Sequence, residues 1–266
     1  MPVTYSMSVL FTIATVLASV GGLLLFRRFM APETLKQNHE VADPYSQFVG
    51  MLFAVLLGFM VADAMQRFGA ARQMVEQEAS SVGNVFRLAD GFADEPRLKI
   101  QKLCMKYLDS VINDEWPLLA DHKTSIPTWM TYKELWKACV KYEPVTPREC
   151  DAHQALLPHM ADVGTYRRLR VDALHNGLPT VLWWILGVGG MATIIFTYFF
   201  NVEHLRLQIC MVSIVSLVIC LNIFLLATYD DPFSGDMTVQ PGAFQMQLDL
   251  FKAEFEHKIP KSVEAE

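Results

Sequence analysis

Residues 45–64, YSQFVGMLFAVLLGFMVADA, decide the fold, and their pattern continues through MQRFGAARQMVEQEASSVGNVFRLA at 65–89. Ser46, Gly50, Ala54, Gly58 and Ala62 recur at unbroken four-residue spacing, which keeps them on one face of a helix. Most of the other positions are large and apolar, among them Phe48, Met51, Phe53, Val55, Leu57, Phe59 and Met60. A small-residue stripe on an apolar helix lets another backbone approach closely, as in membrane helix pairs. No proline or turn signal interrupts the pattern from 45 to 89. The spacing predicts one helix that crosses a bilayer and projects into water. Two roles fit it, helix packing and the lining of a conduction path, with Gly50, Ala54, Val55, Gly58, Phe59 and Ala62 as the residues concerned.

Three further apolar runs lie at 7–26, 178–200 and 207–229. Each reaches the roughly 20 residues that a helix needs to cross about 30 Å of hydrocarbon. The chain has 266 residues, 52% of them hydrophobic, with a mean hydropathy of +0.25. An all-α integral membrane protein with four transmembrane helices is expected. Its predicted order is 1–65 for spans one and two, 66–178 for a helical soluble domain, 179–229 for spans three and four, and 230–266 for an acidic turn and an amphipathic tail. The first run lacks a basic leading region and continues straight into Arg27-Arg28, which reads as a retained anchor rather than a cleaved signal.

The net charge of −6 argues against nucleic acid as a partner, because phosphate binding draws on clustered Lys and Arg. Five cysteines, an odd number, do not make a disulfide framework. An even number of spans puts the N-terminus, the middle segment and the tail on one side of the membrane. Arg27, Arg28, Lys36 and Arg206 on one side nearly balance Arg67, Arg72, Arg167, Arg168 and Arg170 on the other, so the positive-inside rule does not choose. Cys104, Cys139 and Cys150 favour a reducing, cytoplasmic side for the middle segment and both termini.

Within 66–178, Ile100, Leu103, Cys104, Tyr107, Leu108, Val111 and Ile112 recur with helical period, and Pro117 is expected to end that helix. Trp129, Tyr132, Trp136, Cys139 and Val140 make a second, shorter apolar stripe. Thr146-Pro147-Arg148-Glu149 is a capping box with proline at the first helical position. Asp43-Pro44 before span two and Gly177-Leu178-Pro179 before span three read as breaks. Gly187, Gly189 and Gly190 thin the middle of span three, and Gly187 and Gly190 offer the small stripe a partner within the chain. Phe244, Leu248, Phe251 and Phe255 give the tail an amphipathic face that frays into SVEAE.

No HExxH, Walker A, GxSxG or GxGxxG pattern occurs, so no enzyme class is indicated and no cofactor is implied. Cys150, His153 and His159 match no zinc spacing. Glu76 and Glu78, like Asp114 and Glu115, lie beside basic residues on helices and read as solvated faces. The spans lack interior charges, Asp63 lying at the end of span two. That counts against proton pumps and ion-coupled carriers, whereas a passive pore gates by hydrophobic constriction without any such charge. Asn222, mid-span, is expected to act as interhelical glue. Asp230, Asp231 and Asp236 are drawn together by Pro232 and Gly235. That turn is a helix stop at the membrane surface or, alternatively, a hard-cation site for calcium, which takes carboxylate and carbonyl oxygens from one loop.

In sequence order come an apolar span, Arg27-Arg28, the span at 45–64 running into a helix, Asn113-Asp114-Glu115-Trp116-Pro117, Asn176-Gly177-Leu178-Pro179, and Asp230-Asp231-Pro232-Phe233-Ser234-Gly235-Asp236. This order resembles the bestrophin-like family of bacterial membrane proteins over nearly the whole chain. The resemblance implies kinship with bestrophins, which are pentameric anion channels with calcium sites near the membrane surface. It implies that span two lines a pore, that Pro232, Phe233, Gly235 and Asp236 match the family's turn, and that the chain forms a homo-oligomer in the cell membrane, a pentamer by analogy. Ser234 departs from the pattern, separating Phe233 from Gly235 where bestrophins have the two adjacent. Bestrophin pores are narrowed by largely aromatic rows, whereas this chain has mixed rows such as Met51, Val55 and Phe59. Two functional readings follow: a passive channel for anions or small solutes, and a non-conducting scaffold whose helical domain binds a protein partner through Trp116, Trp129 and Trp136.

Overall fold

Pro44 does not end a helix. It lies inside α2 (Pro32–Leu88), a continuous helix of 57 residues, so the expected break at Asp43-Pro44 is absent. A proline removes one backbone donor from the ladder, and the long helical stretches on either side supply the remaining bonds. The structure is a computed structural model that describes residues 5–29, 32–200 and 204–258, without the side chains of 32–43 and 256–258. The sequence before Tyr5, the side chain of Lys36, most of the connection between spans three and four, and the SVEAE end lie outside the described residues.

The other helices are α1 (Tyr5–Phe29), α3 (Asp94–Ser110), α4 (Trp116–Leu119), α5 (Ile126–Val140), α6 (Pro147–Asp172), α7 (Thr180–Tyr198), α8 (Leu205–Asp230) and α9 (Gly242–Lys258). Among the described residues there is no strand. Helices α1, α2, α7 and α8 are long and apolar enough to cross a membrane, as expected for the four spans. The chain divides into two compact units. One holds residues up to Phe68 with 177–231 and 235–237, and the other holds 69–176, 232–234 and the residues from 238 onward.

In the first unit α2 buries Phe53, Leu57, Met60 and Ala64 against Leu186 of α7 and Ile219 and Leu226 of α8. Phe53 fills the space above two glycines. A Cβ on Gly189 would lie 2.7 Å from the Phe53 ring, and one on Gly190 would lie 3.3 Å from Ile219. The glycines of span three therefore receive a large side chain of α2, not its small stripe, and Gly187 has no atom within 4 Å of such a Cβ. Helix α1 is tied in by polar contacts: Tyr198 Oη donates to the Ser19 carbonyl at 2.7 Å and Ser216 Oγ donates to Ser19 Oγ at 2.8 Å. Asn222, expected to bridge helices, donates to the Val218 carbonyl of its own helix at 2.9 Å. That i−4 bond satisfies an amide donor in hydrocarbon without a second helix.

In the second unit, α2 continues and packs Val75, Val82, Val85, Phe86 and Ala89 inward. Helix α3 buries Ile100, Cys104, Tyr107 and Leu108, as its period predicts. Pro117 does not end that segment. The chain passes through a π-helical turn at Val111–Glu115 into α4, which has Pro117 in its first turn. The wide turn makes the buried row step by fours, Val111, Glu115, Leu119. Helix α5 buries Thr128, Thr131, Leu135 and Cys139, so Trp129 and Trp136 lie off the buried row and are exposed. Helix α6 starts at the predicted capping box, with Thr146 Oγ1 accepting from the Glu149 amide and the Glu149 carboxylate accepting from the Val145 and Thr146 amides. It runs unbroken past Pro158. Phe244, Leu248 and Phe251 of α9 are buried, with the Phe251 ring stacked on Phe86 at 3.8 Å.

The backbone amides of Val145 and Thr146 hold the Glu149 carboxyl below the usual carboxylate range. A lowered folded value means that this contribution is complete above the ordinary carboxylate range and is lost as pH falls through the folded value. Replacing Thr146 by Ala should cost about 1 kcal/mol, read as a lower chemical-denaturation midpoint of the second unit. Glu149→Gln should flatten the acid limb of that unit's stability. Gly189→Val, which overpacks Phe53, should cost about 1–3 kcal/mol, seen as a lower midpoint in thermal size-exclusion assays.

Candidate functional site

The apolar part of α2 has two unlike faces. Phe53, Leu57, Met60 and Ala64 are buried within the first unit. On the opposite side Met51, Val55 and Phe59 are 68%, 49% and 72% exposed. Ala54, Gly58 and Ala62 are also exposed, Gly50 partly so, and neither Gly50 nor Gly58 has an atom within 4 Å of a Cβ placed there. The predicted residues Gly50, Ala54, Val55, Gly58, Phe59 and Ala62 thus share the side of α2 turned away from the helices of its own chain. That surface carries no charge until Asp63, which pairs with Arg67 at 3.0 Å one turn on.

Two carboxylates of the acidic turn, Asp230 and Asp236, engage groups of the chain itself. Asp230 Oδ1 accepts the Leu178 amide at 2.7 Å and sits 3.3 Å from Arg67 Nη2. One carboxylate therefore joins α2, the lead-in to α7 and the end of α8. Asp236 Oδ2 accepts the Tyr5 amide at 2.6 Å. Gly235 has φ of 97°, a backbone region that favours glycine, and this explains its place in the motif. Among the described residues no three His, Cys, Asp or Glu side chains are grouped to hold a metal. Phe233, of the second unit, is buried against Trp116 with ring centroids 5.9 Å apart.

The strongest electrostatic feature was not expected. Glu78 of α2 and Glu115 of the π-turn, read from sequence as solvated, are fully buried together with Arg170 of α6. Arg170 reaches Glu78 through Nε at 2.8 Å and Nη2 at 3.1 Å, and Glu115 through Nη2 at 2.8 Å. Arg167 Nη2 takes the second oxygen of Glu115 and Tyr107 Oη donates to Glu78, both at 2.5 Å. Trp116 and Phe244 cover the guanidinium of Arg170 at 5.6 and 5.7 Å. Trp116 is therefore a wall of this cluster and not a free recognition surface. The solvated-face reading holds for Glu76, which pairs with Arg72 in the open.

Two arginines face two glutamates, so the buried cluster is neutral. Burial alone would weaken the hold of Arg170 on its proton, but the Glu78 and Glu115 charges reverse this and raise its pKa. Burial, and next the Glu78 charge, push the Tyr107 hydroxyl well above its ordinary value, so the phenol stays a donor. A sequence signal was present: Glu78 lies in the row Ala71, Val75, Val82, and Arg167 and Arg170 lie in the row Leu156, Met160, Val163, Leu174. A charge in register with an apolar row marks a buried ion pair. Arg170→Met leaves two carboxylates buried without their shared partner and should cost about 3–5 kcal/mol. Arg170→Lys, which lacks the forked donors, should fail to restore the thermal midpoint.

Comparison with known proteins agrees with this architecture. No curated protein sequence matches the chain. A crystal structure of a bacterial bestrophin homolog from Klebsiella pneumoniae, a leucine-to-threonine variant, superposes with a TM-score of 0.66 at 11% identity, covering 91% of this chain and 98% of the other. Another structure of a bestrophin homolog from that organism gives a TM-score of 0.64 at 12% identity, with 93% and 99% coverage. These likenesses speak for the fold alone. The Bestrophin-like domain matches residues 13–244, and with four helices fit to cross a bilayer the chain belongs to the Bestrophin-like family of membrane proteins.

Proposed function

We propose that copies of this chain assemble in a ring with α2 at its axis, and that Met51, Val55 and Phe59 line a passive path for anions or small solutes. The observation that carries this reading is the unpartnered, charge-free face of α2. Those three side chains are exposed at four-residue intervals, an apolar constriction of the kind that gates a pore by dewetting. Ala54, Gly58 and Ala62 beside them let neighbouring copies of α2 come close. A pentamer is the stoichiometry that the family suggests. In this reading Asp230 is a structural tie between helix ends. The second unit and both termini lie on the cytoplasmic side, which suits Cys104, Cys139 and Cys150, all free in that unit.

A second reading has its own observation. Trp129 and Trp136 on α5 are exposed beside Arg167 and Arg168 in a groove of about 570 Å³, a surface on which a protein partner could dock without any conduction.

Purified protein reconstituted into chloride-loaded vesicles should release chloride in proportion to the protein added. Phe59→Ala, which widens the constriction, should raise the rate several-fold, while Met211→Ala on the exposed side of α8 should leave it unchanged. Well-folded oligomer that passes no anion, together with stoichiometric capture of one partner lost in Trp129→Ala, would replace the channel reading with the scaffold.

A further inference from the structure

In the first unit α1 and α7 both rest on α8 and meet each other at few points. A crevice of about 460 Å³ lies between them. Its floor is made by Ser19, Gly190, Ile219 and Cys220, all buried, and its rim by Phe11, Met191 and Ile195, all exposed. The lining of α7 runs from Gly187 to Tyr198, roughly 16 Å at 1.5 Å per residue, so the space is elongated. One end is closed where the Tyr198 hydroxyl lies against Gly22, 2.8 Å from where a Cβ would stand.

Every hydroxyl proton in the lining is already committed. Thr15 Oγ1 donates to the Phe11 carbonyl at 2.9 Å, Ser19 Oγ to the Val16 carbonyl at 2.8 Å and Tyr198 Oη to the Ser19 carbonyl at 2.7 Å. A space whose hydroxyl donors are all used and whose walls are otherwise apolar, with only the weakly polar Cys220 thiol besides, does not favour water and has little with which to select a polar ligand. The crevice is also continuous with the exposed apolar faces of helices that cross a bilayer, where the surrounding solvent is hydrocarbon.

We propose that this crevice is a binding site for one acyl chain of a bilayer phospholipid, which completes the packing of α1 against α7. Recognition is by shape and dispersion, so occupancy depends on the chain and not on the headgroup. The open position of Gly187 is what makes room for it. This assignment rests on insertion in the bilayer and is independent of conduction.

The full-length protein, purified in mild detergent, is exposed to a phospholipid carrying a photoactivatable diazirine midway along one acyl chain. Adducts are then mapped by peptide mass spectrometry. Labelling should concentrate on the segments of α1, α7 and α8 that line the crevice, equally for phosphatidylglycerol and phosphatidylcholine. Gly187→Leu has free space for its side chain and should reduce those adducts at least several-fold while leaving labels elsewhere unchanged. Ala18→Leu, which fills the crevice from the α1 wall, should do the same. The unfilled protein should gain thermal midpoint on adding phospholipid, and both filled variants should lose that response. Adducts spread evenly over all exposed apolar faces, crevice labelling unaffected in both filled variants, or labelling that follows the headgroup would overturn the site. So would a photoreactive side chain at Ala18 that cross-links to a second copy of the chain, because a neighbouring helix would then occupy the space.

Discussion

A guanidinium taken wholly out of water must meet its counter-charges at hydrogen-bond distance, and much of the second unit is arranged around that requirement. Arg170 brings together Glu78 from α2 and Glu115 from the π-turn, and Trp116 and Phe244 close over it. The π-turn gains a physical reason from this. An extra residue in the turn sets Glu115 in line with Val111 and Leu119, while Asp114 remains outside, bonded to Ser110. Because isolated charge in a low-dielectric interior is far costlier than the same charge in water, the cluster tolerates few other placements of these helices.

Helix α2 meets two environments along its length. Over Phe53 to Ala64 its buried row is apolar and its outer row is equally apolar. Beyond Phe68 the buried row persists, but the outer positions become Arg72, Gln73, Glu76 and Gln77. The difference lies in what surrounds the helix. Hydrocarbon accepts an apolar outer face, and water requires a polar one. An apolar surface on both sides of a helix also leaves its function open until its neighbours are known, and for that reason the exposed row Met51, Val55, Phe59 is the part of the molecule on which the channel reading depends.

Much of the helical framework was legible in the sequence. Four apolar runs of membrane length, the capping box at Thr146–Glu149, the buried period of α3 and the anchoring of the tail by Phe244, Leu248 and Phe251 all emerge where their patterns place them. The misreadings have a common cause. Glu78 and Glu115 read as solvated because a charge beside other charges is usually wet, although each stands in an apolar row. Trp129, Tyr132 and Trp136 make an apolar stripe at helical spacing, yet the row of α5 that faces inward is Thr128, Thr131, Leu135 and Cys139. The Asp230 turn showed its acids plainly, but not that Arg67 and the Leu178 amide would take up one of them.

By itself the sequence determined what local chemistry controls. The apolar character and membrane length of the spans, the cap that starts α6 and the buried period of α3 follow from hydropathy, hydrogen-bond geometry and helical period, all of which act within a few residues. Only the tertiary structure decided which face of each helix turned inward, because that depends on partners distant in the chain. It seated Phe53 over Gly189 and left the small stripe outward. It also brought Glu78, Glu115 and Arg170, 92 residues apart at their widest, into one buried cluster. Period marks a row along a helix, but the direction in which the row faces is a property of the surfaces that meet it.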